Sequence, residues 1–224
     1  LGKIKTPSRS SYFGIVDLCG FPKDRYYNYK SYWRPEVPTV HILPHWNWEE
    51  RIGEITPVHI YTSGDAVELF LNNKSLGRKE KVHSYDRLIW EDVRYEPGTL
   101  KAVAYKNGEK WAEEIVETTG KPAALQVVPE KKFLKADGVD LSFVRVLIVD
   151  SKGRMVPRAK NHLKFSVSGP AEIAATDNGD ATDLTSFQAP ERNAYNGMAL
   201  VILRSQYQKT GKVVLTVEAK GLPK

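Results

Sequence analysis

The stretch Val40-His41-Ile42-Leu43-Pro44-His45-Trp46-Asn47-Trp48 marks the point where a basic, tyrosine-rich lead-in gives way to a long β pattern. Its two tryptophans stand at i and i+2, so in an extended chain they share one face, and Pro44 two residues earlier disfavours helix. Each indole that packs buries about 150–250 Å², a gross hydrophobic gain of roughly 4–6 kcal/mol, which is an upper bound because unfolded chains already hide some surface. Packing is the stronger reading over ligand stacking, since large apolar side chains usually serve a core or an interface. The stretch predicts a β-edge whose indoles tie structural units together.

Upstream, Pro22-Lys23-Asp24 opens a helical pattern: Pro suits a first turn, Asp complements the positive end of the dipole, and Tyr26, Tyr29 and Trp33 fall on one face. Arg34-Pro35 stops it. A single short helix with so much aromatic surface needs a larger body to lie against.

Downstream, the period changes to two. Val58 and Ile60, then Val67, Leu69 and Leu71, alternate with polar neighbours, and residues 100–105 read as another strand. Asn72-Asn73 and Asn107-Gly108 supply the positive φ of two-residue hairpins, and Pro97-Gly98 suits a type II turn. Thr118-Thr119-Gly120-Lys121-Pro122 reads as a linker. Beyond it, strands are predicted over 124–128, 140–149, 162–168, 198–204 and 212–219, with residues 180–196 as a long polar loop. The expected architecture is all-β: two immunoglobulin-like β-sandwiches, residues 37–120 and 121–224, behind a separate segment, residues 1–36.

The composition fits that division. A chain of 224 residues exceeds the usual single-domain length. Its net charge of +6 is uneven, with 7 basic against 3 acidic residues over 1–36, 10 against 14 over 37–120 and 16 against 10 over 121–224. No dense Arg/Lys run with interleaved aromatics occurs, which argues against nucleic acid as a partner. No apolar run reaches the length of a membrane span, so no membrane partner is expected. The single Cys19 excludes an internal disulfide and is expected to pack rather than react. The chain begins with Leu1, and its first elements read as cut from something longer, as a C-terminal fragment.

Candidate sites are sparse. Asp177, Asp180 and Asp183 cluster around Asn178-Gly179, a grouping that a hard cation such as calcium favours, but the spacing is not that of an EF-hand and Asp-Asn-Gly is equally a tight turn. His41, His45, His59 and His83 lack Cys partners and helical i, i+4 pairing, so they read as structural or solvated. No paired carboxylates in a cleft and no nucleophile elbow emerge, so no catalytic residue is assigned, and no cofactor is implied.

Several long motifs in order carry a likeness. Residues 9–33, Val40-His41-Ile42-Leu43-Pro44-His45-Trp46-Asn47-Trp48, Val67-Glu68-Leu69-Phe70-Leu71-Asn72-Asn73-Lys74, Tyr95-Glu96-Pro97-Gly98-Thr99-Leu100, Ser186-Phe187-Gln188-Ala189 and Tyr195-Asn196-Gly197 together resemble the C-terminal part of Bacteroidetes-type β-galactosidases of glycoside hydrolase family two. The resemblance implies that residues 1–36 are the remnant loop and last helix of a catalytic (β/α)8 barrel, with both catalytic carboxylates upstream of Leu1. It implies a supporting role beside that barrel, the barrel of the same polypeptide as partner, a carbohydrate substrate in the full enzyme, and a periplasmic or secreted location. It also implies that Phe13 and Asp17 line the sugar pocket of the full enzyme, although a loop ahead of a helix commonly just packs. Two departures stand out: Asn73, where that family tends to have Gly, and Glu49-Glu50-Arg51 after Trp48. The rival readings are a carbohydrate-binding module and an adhesin-like structural module. Exposure of Trp46, Trp48, Trp90 and Trp111 separates them, because a coplanar exposed pair favours sugar and full burial favours scaffold.

Overall fold

A computed structural model describes residues 6–223, and the chain divides into two compact units. One runs over residues 22–118. The other comprises residues 119–223 together with the segment ending at Phe21, so the stretch read from the sequence as a single remnant is shared between the units.

The unit of residues 22–118 begins with α1 (Asp24–Trp33) and continues through β1 (Val40–Leu43), β2 (Val58–Thr62), β3 (Ala66–Leu71), β4 (Lys74–Glu80), β5 (Leu88–Trp90), β6 (Thr99–Lys106) and β7 (Glu109–Glu117). Two antiparallel sheets, in the orders β1-β2-β5 and β4-β3-β6-β7, make a sandwich. Alternation sets the faces: Val67, Leu69 and Leu71 are buried while Glu68 and Phe70 are only partly so. The hairpin residues behave as their chemistry requires, with φ of 50° and 66° at Asn72 and Asn73 and 53° at Asn107. β4, β5 and β7 were not among the strands expected from sequence; β4 is largely exposed and charged, so it carries little apolar alternation to read.

The indole-bearing stretch departs from expectation in one respect. β1 ends at Leu43, and Trp46 and Trp48 lie in the irregular segment that follows, ahead of a 3-10 turn at Glu49–Arg51. Both rings nevertheless reach the same core, Trp46 fully buried and Trp48 packed against its margin. The helix also differs. It meets β1 and β2, but its one buried residue is Ser31, while Trp33, on the aromatic face, is 65% exposed.

The other unit contains β8 (Ala124–Pro129), β9 (Leu141–Val149), β10 (His162–Ser168), β11 (Ala171–Asp177), β12 (Glu191–Asn193), β13 (Met198–Ser205) and β14 (Val214–Ala219). Its sheets run β11-β13-β9-β8 and β12-β10-β14, all antiparallel. β9 shows the period plainly, with Ser142, Val144, Val146 and Ile148 inward and Phe143 and Arg145 outward. β11 and β12 are additions to the predicted set. β11 is Ala-rich and is bulged between Ile173 and Ala175, which breaks the alternation that would have shown it. β12 crosses the stretch read as a loop. No helix among the described residues is long and apolar enough to cross a membrane.

Candidate functional site

In the unit of residues 22–118, polar groups converge on His41. Its Nε2 lies 3.0 Å from Asp24 Oδ1 at the start of α1, its Nδ1 lies 3.3 Å from Glu114 Oε1 on β7, and the Tyr27 ring stacks on it at 3.9 Å. Glu114 also accepts the Ile42 backbone N–H. Burial alone would push the imidazole down, but the hydrogen bonds it donates to Asp24 and Glu114 outweigh it and hold it at about 9. His41 is therefore a cation at neutral pH, joining helix, edge strand and second sheet. This is an architectural use of histidine.

The indoles are architectural as well. Trp46 is fully buried, donates from Nε1 to the Glu96 carbonyl at 2.8 Å and tilts against Tyr95 at 4.9 Å. Trp90 is buried and donates to the Leu76 carbonyl. Trp48 stacks on His45, and Trp111 donates to Ser63 Oγ with the Lys106 ammonium over its ring. Trp46 and Trp90 are thus in the core, Trp48 and Trp111 are half-buried with their N–H groups satisfied, and the described residues hold no exposed coplanar tryptophan pair. Of the two outcomes, this arrangement belongs to a scaffold.

In the other unit, the candidate residues Asp17, Asp177, Asp180 and Asp183 gather in one region. Asp17 closes a tight turn, its Oδ1 accepting the N–H groups of Cys19 at 2.8 Å and Phe21 at 2.9 Å. The turn sits on Gly179, where an added Cβ would lie 2.2 Å from Asp17 Oδ2. Asp177 accepts from the Asn178 N–H, and Asp180 accepts from the Thr182 N–H and hydroxyl. Asp183 accepts from Thr185, from Asn178 Nδ2 at 2.8 Å and from Arg192. Burial raises the Asp183 carboxyl, but the Thr185 and Arg192 hydrogen bonds win and hold it below its usual value. Among the described residues no group of three or more His, Cys, Asp or Glu is arranged to hold a metal ion. Phe13, by contrast, stands 62% exposed at the tip of its loop.

Arg192, which lay unremarked in the polar stretch, organises this region. Its side chain is wholly buried, with Nη2 donating to the Thr176 carbonyl at 2.8 Å and the Ser186 carbonyl at 3.0 Å. Arg9 fastens the N-terminal segment alongside, giving hydrogen bonds to the carbonyls of Asp183 and Thr185 and stacking over Phe187 at 4.2 Å. Cys19 is driven inert: burial first, then Asp177 and Asp17, push its thiol far above the ordinary range. Asp180 and Asp183 line a small pocket of about 250 Å³, with Lys160 and Tyr195 also on its wall, but both carboxylates are engaged by the hydrogen bonds just described. Their arrangement can hold two segments together; it offers no free acid and base.

Comparison with known proteins gives this architecture its place. The model of glycoside hydrolase family 2 C-terminal domain 5 matches residues 125–224, and a domain of unknown function (DUF4982) matches residues 53–112. The β-galactosidase BoGH2A of Bacteroides ovatus is 44% identical over 216 residues, 96% of this chain and 25% of that protein. Residues 125–224 therefore belong to glycoside hydrolase family 2 as one of its C-terminal domains. The β-glucuronidase of Formosa agariphila is 34% identical over 160 residues, 70% of this chain and 16% of its own. A solved β-glycosidase from Bacteroides vulgatus superposes on the whole of this chain with a TM-score of 0.92 at 38% identity, covering 28% of that structure. The chain spans between 16% and 28% of the length of these relatives.

Proposed function

We propose that this chain is the non-catalytic accessory portion of a β-galactosidase, two sandwiches that brace a catalytic barrel in the same polypeptide. The observation that carries the reading is the 44% identity to BoGH2A along 96% of the chain. Burial of Trp46 and Trp90 supports a bracing role over a sugar-binding module. The exposed Trp33, stacked on Tyr29 at 4.7 Å, supports a docking face on α1 for the barrel. In the full enzyme Phe13 and Asp17 line the sugar pocket, Phe13 presenting its exposed ring and Asp17 fixing the loop that carries it. The protein acts on β-galactosides outside the cytoplasm, in the periplasm or after secretion.

Hydrolysis with retention needs two carboxyl groups about 5–5.5 Å apart on a rigid scaffold, and in this reading the barrel supplies both. The test is an assay of the purified chain and of the longer polypeptide containing it, on nitrophenyl β-galactoside and β-glucuronide. The chain alone gives the buffer rate on both, and the longer protein prefers the galactoside. Turnover by the chain that disappears on substituting one of its own carboxylates overturns the accessory role, and a preference for the glucuronide overturns the substrate.

A further inference from the structure

The sandwich of residues 119–223 carries a cleft of about 570 Å³, lined from both sheets and from the segments after β8 and β13. That size is typical of small-molecule sites. Val144, Leu203 and Leu215 form apolar wall, and Phe133 contributes a ring that is 89% exposed because nothing packs over it. An exposed phenylalanine beside an apolar hollow is a surface awaiting a partner.

Two further features state what the partner carries. Four lysines, Lys131, Lys132, Lys209 and Lys212, line the cleft and no Asp or Glu does. Lys131 is paired with Asp140 at 2.7 Å, whereas Lys132, Lys209 and Lys212 have no carboxylate in ion-pair distance among the described residues. The second feature is Ser205, a lining residue only 6% exposed, whose hydroxyl has no hydrogen-bond partner. Its neighbour Ser142 is satisfied, donating to the Lys131 carbonyl at 3.1 Å. A buried hydroxyl left unpaired costs about 1–3 kcal/mol, so an orphan on the wall of a cavity marks a place for a ligand atom.

We propose that this cleft binds a small amphiphilic anion: an apolar, aryl or alkyl body seated on Val144, Leu203, Leu215 and Phe133, an acidic group held by Lys132, Lys209 and Lys212, and a polar atom that pairs with Ser205.

The probe is 1-anilinonaphthalene-8-sulfonate, compared with N-phenyl-1-naphthylamine, which keeps the body and lacks the sulfonate. Titrated into the intact 224-residue chain, the sulfonate gives a saturable one-to-one fluorescence gain, and the neutral amine binds at least tenfold more weakly. A K132E/K209E/K212E variant, altered only at cleft-lining lysines, loses that tenfold preference. Ser205→Ala binds the probe several-fold more weakly while melting no lower than the parent, an outcome a purely structural serine would not give. Amide shifts map to Val144, Leu203 and Leu215. No saturable binding, equal affinity for the two dyes, or an unchanged preference in the triple variant overturns the proposal. So does concentration-dependent self-association that shifts these same amides without dye, which would assign the cleft to a second copy of the chain.

Discussion

Nη1 of Arg192 lies 2.9 Å from Oδ2 of Asp183, in an ion pair whose guanidinium is entirely shut off from solvent. The pair decides how the aspartate-rich stretch works. The carboxylate best placed to serve a cation already faces a fixed positive charge, and Asp177 Oδ1 stands 3.8 Å from the same Nη1.

Removing that charge should be severe. Arg192→Met removes the guanidinium that faces Asp183 and the donor that Nη2 supplies to the carbonyls of Thr176 and Ser186, the situation in which breaking a buried pair costs about 3–5 kcal/mol. Arg192→Lys should recover only part, since an ammonium cannot serve Thr176, Ser186 and Asp183 from one plane. Urea denaturation checks both, and a midpoint for the Met variant within a few tenths molar of the parent contradicts this account. On the same grounds calcium or a chelator should leave the melting temperature unchanged.

Legibility followed local chemistry. Asn72-Asn73 announced a hairpin because few residues accept positive φ, and α1 was legible from Pro22, Asp24 and the 3.6-residue spacing of its aromatics. The destination of Trp46 was legible but its strand was not: the side chain's burial is a matter of hydrophobicity, whereas the end of β1 at Leu43 depends on pairing with β2. β12 escaped because three residues, Glu191-Arg192-Asn193, look polar until Arg192 is known to point inward. Nothing local distinguishes a buried arginine from a solvated one; its partners Thr176, Asp183 and Ser186 lie six to sixteen residues away. The same holds for His41, whose charge depends on Glu114, 73 residues on.

Gly179 should be intolerant of a side chain. Its φ is +80°, and an added Cβ would meet Asp17 Oδ2 at 2.2 Å. Gly179→Ala therefore carries a backbone cost of about 1–2 kcal/mol and displaces the turn that Asp17 closes. Hydrogen exchange should show faster exchange at Cys19 and Phe21, whose amides donate to Asp17, with the amides of β9 and β13 unchanged. Unaltered protection at Cys19 and Phe21 would count against the contact.

The unit of residues 22–118 should lose stability in alkali. The folded pKa of His41, about 9, lies above the unfolded value of about 6.5, so its contribution is fully present below about pH 6.5 and is lost as pH rises through about 9. At roughly 1.4 kcal/mol per unit the ceiling is about 3 kcal/mol. The groups facing the ring are Asp24, Glu114 and Tyr27, and burial followed by Glu114 pushes the Tyr27 hydroxyl upward, away from this window. Melting temperatures from pH 6 to 10 should fall for the parent and stay flatter for His41→Gln. Parallel curves would show that the imidazole carries no such charge.

Two tryptophans on opposite sides of the bracing argument give its sharpest test. Trp46 is wholly enclosed and its N–H is committed to the Glu96 carbonyl, so Trp46→Ala should cost about 3–5 kcal/mol through the cavity and the unpaired carbonyl. Trp33 is 65% exposed and touches only its helix neighbours Tyr29 and Tyr32 among aromatic rings, so Trp33→Ala should cost about 1 kcal/mol or less in this chain. In the longer polypeptide the gap narrows if the α1 face docks on a barrel: the ring becomes an interface anchor, and its truncation should then cost about 2 kcal/mol or more. Paired melting measurements on both lengths of protein decide it. A Trp33→Ala effect that is equally small in both would mean that α1 faces water there too, and the barrel would have to be braced through another surface.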